Sequence, residues 1–346
     1  MPLKFGISLM GVYDTPNYLE DTLRYVKFIE EKGFDHVWVG DSQMIHRDAY
    51  TDLTRWALNT SRIKIGPLVT NPATRHPSVT ASAICSIDEI SNGRALLAIG
   101  TGESAVRRVG IKTRPVAELE KAVDVIRKLC LGQEVDFGET KMSIRWNKGR
   151  KIPIYVTGSG PKALELAGRV GDGAIINTGA SEDTVRFSID QVLHGLEASG
   201  RKPNDIDMAI FAFAAVADDR RVAIEEAKPF ATWFFVNIPN HPVIVKQRLS
   251  GKAKEILENY QKEYYKYDEQ VSHHAAQWDG ASSKASFMDE EMVTKFSLAG
   301  NPEDVVRQLR ALERTGVETY IFRVGYSKNF DRMLELLGDH VLPQFR

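Results

Sequence analysis

The sequence predicts an α/β chain folded as a (β/α)8 TIM barrel with a long helical insertion between strands seven and eight. Two observations carry this. Strand-like apolar runs alternate with helical patterns from one end of the 346 residues to the other, the order that yields a parallel sheet covered by helices. The runs also amount to eight strand–helix units, the number that closes such a barrel. An open doubly wound sheet is the alternative, and against it no Gly-x-Gly-x-x-Gly fingerprint follows the first strand.

The elements follow in order. Leu3–Ser8 is a short apolar strand. Tyr18–Lys32 is helical, with Leu19, Leu23, Val26, Phe28 and Ile29 on one stripe and Gly33 as the stop. His36–Gly40 is strand two, Tyr50–Asn59 its helix, and Ile63–Val69 strand three. Ser78 is expected to cap a helix reaching Ser91, after which Asn92-Gly93 turns the chain into strand four, Ala95–Ile99. Pro115–Leu131 is a long amphipathic helix whose proline sits where a missing N–H does no harm. Val135–Ile152 reads as an irregular excursion holding a small hairpin.

Strand five is Pro153–Val156, with a helix from Pro161. Strand six is Gly173–Ile176 and its helix Glu182–Ser199. Asp207–Val216 is strand seven, followed by helix Arg220–Phe235. Thr319–Val324 is strand eight and Asn329–His340 the closing helix. The chain thus reads as one barrel domain, with residues of about 239–292 inserted, too long a stretch for an ordinary loop. The insertion is rich in Lys, Glu, Tyr and His, and serves either as a lid or oligomer contact or as a solvated decoration. Its aromatic residues Tyr260, Tyr264, Tyr265, Tyr267 and Trp278 line a pocket or pack against the barrel or a second subunit.

Bulk composition removes several function classes. Apolar residues make up 43% and charged residues 26%, ordinary for a water-soluble domain. A formal net charge of −1 gives no field toward nucleic acid or an anionic membrane. The N-terminus enters a strand without the basic region and apolar core of a signal peptide, and the most apolar run, Met208–Ala217, falls short of the ~20 residues needed to cross a bilayer. Cys85 and Cys130, both on predicted helices, do not make a disulfide framework. The expected setting is cytoplasmic. No His spacing suits a metal and no Gly-x-Ser-x-Gly elbow is present.

In such a barrel the chemistry sits at the C-terminal ends of the strands. That rule nominates Ser8, Asp41, Ser42, Leu68, Val69, Thr70, Asn71, Gly100, Thr101, Gly102, Glu103, Ser104, Thr157, Gly158, Ser159, Gly160, Asn177, Thr178, Gly179 and Arg323. Gly100-Thr-Gly-Glu-Ser104 is the sharpest: two glycines admit a ligand to the backbone and Glu103 offers a carboxylate for proton transfer. Thr157-Gly-Ser-Gly-Pro161 brings glycines, a hydroxyl and a helix start together, as an anion site requires; it also reads as plain turn chemistry, as does Asn177-Thr-Gly179. Asp41, at a strand end, either orients a neighbour or binds backbone N–H groups.

Phe5-Gly-Ile-Ser8, Gly33-Phe-Asp-His-Val-Trp-Val-Gly-Asp41, Thr70-Asn-Pro72, Arg75-His-Pro77 and Ile90-Ser-Asn-Gly-Arg94 resemble the luciferase-like superfamily of barrel oxidoreductases, and within it the branch that uses the deazaflavin coenzyme F-420. The likeness covers most of residues 3–180 and resumes at Phe296–Val324. It implies a non-prolyl cis peptide at Leu68–Val69 bracing the cofactor ring; Ser8, Thr70, Asn71, Thr101 and Gly102, nominated by their places at the strand ends, are expected about the cofactor as well. It implies a phosphate grip at Thr157–Gly160 with help from Asn177, Thr178 and Gly179, and a proton donor or acceptor at Glu103, flanked by Asp41 and Ser42. Two departures stand out. Many members carry Asp-His where this chain has Asp41-Ser42, and the reductase branch tends to carry an acidic residue where this chain has Ser8.

Three functions follow from this reading. The first is hydride transfer between coenzyme F-420 and a small-molecule organic substrate. The second is an FMN-dependent monooxygenase fed by a separate flavin reductase. The third is a non-catalytic flavin-binding barrel. A homo-oligomer is expected for each.

Overall fold

A computed structural model of the chain describes residues 3–10, 15, 17–237, 288–324 and 330–346. Eight parallel strands form the barrel: β1 (Lys4–Ser8), β2 (His36–Val39), β3 (Lys64–Pro67), β4 (Leu97–Ile99), β7 (Ile154–Gly158), β8 (Gly173–Ile176), β9 (Asp207–Val216) and β11 (Thr319–Val324). Each pairs with its neighbours in the order β3-β2-β1-β11-β9-β8-β7-β4. The remaining gap, between β3 and β4, is closed by two parallel bridges, Ile65 with Ala95 and Thr70 with Ile99. All eight strands lie where the sequence predicts them. The alternative of an open doubly wound sheet is excluded.

The helices α1 (Tyr18–Glu31), α2 (Ala49–Asn59), α3 (Pro77–Ile90), α5 (Val116–Cys130), α6 (Pro161–Val170), α7 (Glu182–Ala198), α8 (Arg220–Asn237) and α11 (Phe330–Leu336) ring the barrel. The main core lies between strands and helices and includes Phe5, Ile7, Val37, Val39, Ile65, Leu97, Ile154, Val156 and Phe322. Residues one position along these strands face inward, as period-2 alternation demands. Trp38, Leu96, Ala98, Ile175, Ala209, Phe211 and Ile321 fill the interior as a second cluster. Residues 135–152 contain the expected hairpin, β5 (Val135–Phe137) antiparallel to β6 (Thr140–Met142).

The structure also adds elements. The glycine loop after β4 runs into a short helix, α4 (Ser104–Arg108). After the insertion come α9 (Glu290–Phe296), a four-residue strand β10 (Ser297–Gly300) and α10 (Pro302–Glu313). β10 pairs in parallel with the far half of β9, Phe213–Val216, outside the barrel path. Most of the insertion, including the five aromatic residues named above, lies outside the described residues.

One capping expectation is corrected. The α3 N-cap is His76, whose Nδ1 accepts from Ser78 N, and Pro77 occupies the first helical position. Ser78 is already inside the helix, because the proline placed two residues after Arg75 sets the start.

The corner at the end of α3 is a device for closing the fold. Asn92 and Gly93 adopt left-handed backbone (φ 57° and 85°), which turns the chain into β4. The Arg94 guanidinium then donates to the carbonyls of Ala57, Thr60, Ile63 and Ser91 and to Thr60 Oγ1, all within 2.8–3.0 Å. Five acceptors at the foot of the barrel thus converge on one side chain. Also at that end, Asp207 accepts from Lys4 Nζ at 3.0 Å, Tyr155 Oη at 2.8 Å and Thr319 Oγ1 at 2.8 Å. These groups tie four strands together far from the strand C-termini.

Candidate active site

Loops at the C-terminal ends of β2, β3, β4, β7 and β8 surround a cavity of about 630 Å³, with Phe211 and Arg323 on its wall from β9 and β11. That volume suits a ligand of cofactor or drug size. Of the residues predicted from sequence, Ser42, Leu68, Val69, Asn71, Thr101, Gly102, Glu103, Thr157, Gly158, Ser159, Gly160 and Asn177 line it. The Leu68–Val69 peptide is cis, and both residues line the cavity.

The wall between β3 and β4 is built by the barrel's own hydrogen bonds. Thr70 N donates to Ala98 O at 3.0 Å and Gly100 N to Thr70 O at 3.0 Å. Gly102 has φ +83°, and a Cβ there would meet Val106 and Asn71 at 3.0–3.1 Å, so glycine is required for the loop to fold back over Asn71. Glu103 follows, half-exposed, with Oε1 accepting from Arg107 Nη2 at 2.9 Å. Ser42 Oγ and Ser104 Oγ lie 2.9 Å apart, joining the β2 and β4 loops across the cavity edge.

On the β7 side, Gly158 packs against the first turn of α6: a Cβ there would lie 2.8 Å from Ala163 Cβ. A Cβ at Gly160 would meet nothing within 4 Å, so its backbone is open to a ligand. Thr157 Oγ1 and Asn177 Oδ1 are buried and make no hydrogen bond among the described residues. Buried polar atoms left without partners beside a cavity are places for a ligand. With the N-terminus of α6 the Thr157 hydroxyl forms a cradle suited to an oxyanion, while Asn177 Oδ1 offers an acceptor to a ligand N–H or O–H.

Several predicted residues stand behind the wall. The Asp41 carboxylate is almost fully buried and accepts from Gln43 Nε2 at 2.7 Å, Thr70 Oγ1 at 2.7 Å and Arg75 Nε at 3.2 Å. Its oxygens hold the β3 loop, and Asp41 is not among the residues that line the cavity. Ser8 lies two residues before cavity-lining Met10 on the inward face, beneath the cavity floor. Thr70 is buried with its hydroxyl on Asp41. Thr178 Oγ1 pairs with Ser188 Oγ at 3.1 Å. Gly179, at φ +96°, packs against Lys295 O and is not at the cavity. Thr70, Thr178 and Gly179 support the wall and do not line it, because their polar groups or backbones face the protein, whereas Ser8 Oγ is buried with no hydrogen-bond partner among the described residues.

Met10, Phe211 and Arg323 complete the inner wall. The strand-end rule nominates Arg323 but neither Met10 nor Phe211. Arg323 is only 6% exposed and its guanidinium carbon lies 5.9 Å from the Phe211 ring centre and 5.8 Å from that of Phe230. The cavity is thus polar at the β7–β8 side, apolar at Leu68–Val69, acidic at Glu103 and cationic at Arg323.

The luciferase-like monooxygenase family matches residues 3–319 of the chain. The chain belongs to that family. Family membership makes it an oxidoreductase on a luciferase-like barrel, as the resemblance in its motifs implies. Among known proteins it is similar to 5,10-methylenetetrahydromethanopterin reductase of Archaeoglobus fulgidus, 32% identical over 99% of this chain and 100% of the relative. It is also similar to the F420-dependent glucose-6-phosphate dehydrogenase of Kineococcus radiotolerans, 33% identical over 66% of this chain and 73% of the relative. Among solved structures, the coenzyme F420-dependent tetrahydromethanopterin reductase of Methanopyrus kandleri superposes with a TM-score of 0.80 at 26% identity, covering 100% of both chains. No helix among the described residues is long and apolar enough to cross a membrane.

Proposed function

We propose that this luciferase-like protein transfers a hydride between coenzyme F-420 and a small organic substrate. The single observation that carries the reading is that the Leu68–Val69 wall, the Glu103 loop and the Thr157–Gly160 cradle line one continuous cavity. The relatives named above that work with this coenzyme support the choice of cofactor. When bound, coenzyme F-420 supplies the hydride chemistry.

The residues divide the remaining work. Backbone N–H groups of Gly158–Gly160 and the start of α6 hold the cofactor's phosphate, with Thr157 Oγ1 as a further donor. Leu68 and Val69 give the ring an apolar face to pack on and exclude water there. Glu103 gives or takes the proton that accompanies hydride transfer. Its bond to Arg107 keeps the carboxylate beside the cavity and breaks easily, since both groups are solvated. Ser42 and Ser104 are too weakly acidic to replace a histidine as proton donor, so they orient a substrate oxygen instead. Arg323 places a buried positive charge where a substrate carbonyl or anion can meet it.

Titration of the purified protein with coenzyme F-420 and separately with FMN, followed by ligand fluorescence, tests the cofactor. Tight deazaflavin binding is expected; FMN binding without deazaflavin binding would sink the proposal and leave the flavin monooxygenase in its place. Turnover is then sought with 5,10-methylenetetrahydromethanopterin and glucose 6-phosphate, the compounds in the relatives' names.

A further inference from the structure

Glu103 and Arg323 line the same cavity from opposite sides of the barrel. The strand order places β4, which leads into Glu103, four steps from β11, which carries Arg323, whichever way the ring is followed. The two groups also differ in depth. Glu103 is half-exposed at the rim, whereas Arg323 is buried beside the rings of Phe211 and Phe230. A ligand spanning the cavity therefore meets an acid at one end and a desolvated cation at the other.

The surroundings of Arg323 narrow what it can hold. A guanidinium has five N–H donors, so contacts on one edge leave others for the cavity it lines. Ser8 is its partner in the β1–β11 register, and Trp38 is the partner of Ser8 in the β1–β2 register. Paired residues of neighbouring strands share a face. Trp38 belongs to the cluster inside the barrel, so Ser8 and Arg323 stand side by side on the inner wall. Ser8 Oγ is wholly buried with no hydrogen-bond partner among the described residues. A hydroxyl donor in want of an acceptor, beside a buried cation, suits a negatively charged group with two oxygens. Met10 and Phe211, on the same wall, are apolar.

We infer that the substrate is a small organic acid whose carboxylate docks on Arg323 and Ser8, with the carbon that exchanges hydride turned toward Glu103. The inference rests on the hydride-transfer reading above and adds the chemical class of the substrate. Two effects fix the orientation. The planar guanidinium matches the two oxygens of a carboxylate, and Glu103 repels a carboxylate presented the other way round. The apolar body of the acid then lies on Met10 and Phe211. A phosphate group finds its donors at the α6 cradle instead.

The test uses the full chain with propionate and its neutral isostere propionamide as probes. They are titrated into the complex with coenzyme F-420, followed by deazaflavin fluorescence, and into the protein alone, followed by tryptophan emission, to which Trp38 beside Ser8 contributes. Propionate is expected to bind roughly tenfold tighter than propionamide in both titrations. Arg323→Gln should bring the two within about twofold. Ser8→Ala, which removes one oxygen atom and keeps the fold even if Arg323→Gln does not, should weaken propionate about fivefold and leave propionamide unchanged. Equal binding of the two probes to the wild type, or a propionate preference that survives Ser8→Ala and Arg323→Gln undiminished, would overturn the subsite. Inorganic phosphate binding more tightly than propionate, and losing that affinity in Arg323→Gln, would overturn the choice of a carboxylate. A propionate preference in a protein that does not bind coenzyme F-420 would overturn the cofactor reading and leave the carboxylate subsite standing.

Discussion

Thr70 Oγ1 donates to Asp41 Oδ2 at 2.7 Å, linking the loop after β3 to the end of β2. Arg75 approaches the same oxygen at 3.2 Å and reaches Asp48 at 2.5 Å. One buried carboxylate therefore holds the loop that begins at Leu68–Val69. Asp41→Asn keeps the shape and removes the charge, turning one acceptor into a donor that faces other donors. A stability loss of roughly 2–3 kcal/mol is expected. Urea unfolding measures it, and a loss under about 0.5 kcal/mol would show that the network carries no load.

Among the described residues, Glu103 is the one acidic side chain lining the cavity. With whichever substrate supports turnover, Glu103→Gln is expected to lower kcat about a hundredfold or more. Cofactor affinity should change little, because the cradle and the apolar wall remain. Single-turnover absorbance and binding titrations separate the two effects. Unchanged turnover removes Glu103 from the mechanism.

His36 gives the barrel a pH dependence. Burial pushes its imidazole down to about 3, and its Nδ1 accepts from Trp38 Nε1 at 2.7 Å. The unfolded chain takes up this proton near the ordinary value of about 6.5, while the folded chain resists it. Stability from this group is therefore complete above that pH and is lost as pH falls from about 6.5 toward 3, with a slope of about 1.4 kcal/mol per unit. Unfolding free energies measured between pH 6 and 4 should fall less steeply, by one proton, in His36→Asn. Equal slopes would show that the imidazole is protonated in the fold.

Gly66 lies on β3 where the strand meets the chain leading into β4. A Cβ there would sit 2.2 Å from the Leu96 carbonyl oxygen, which is backbone and cannot swing away. Gly66→Ala should cost about 3 kcal/mol or more, the upper range of overpacking. Thermal unfolding reads this directly, and a Tm within a degree of wild type would contradict the close approach.

Cys85 and Cys130 are both buried and free, with Sγ atoms 3.5 Å apart between α3 and α5. Ellman's reagent should find no reactive thiol in the native protein and both in denaturant. Finding neither in denaturant would mean that the pair had been oxidised to a disulfide.

The strands were legible because each is a short apolar run bounded by turn residues, and strands at barrel spacing are hard to mistake. β10 was not, since Ser297-Leu-Ala-Gly300 is too short and too small to carry a pattern. The helix after it could have been read: Asn301 and Asp304 form a reciprocal capping box with Pro302 at the helix start. At the site, glycine loops announced themselves, whereas Phe211 did not. It lies inside the ten-residue apolar run of β9, and only the pairing with β8 and β11 reveals which of those residues faces the cavity. Whether Asp41, Thr70 and Thr178 turn toward the cavity or toward the protein is hidden in the sequence for a related reason. Sequence places a polar residue at a strand end but does not say whether its hydrogen bonds are already taken.

A barrel needs a strip that holds the cylinder shut and a strip that meets the ligand. Here they coincide. The β3–β4 seam rests on Ile65, Thr70, Leu96 and Gly100 amides, and the same few residues carry Val69 on one side and the Glu103 loop on the other. A ligand seated against both sides acts as a clasp on that seam. Occupancy and closure then reinforce each other, so a change that loosens the cylinder weakens recognition even when it touches nothing the ligand touches.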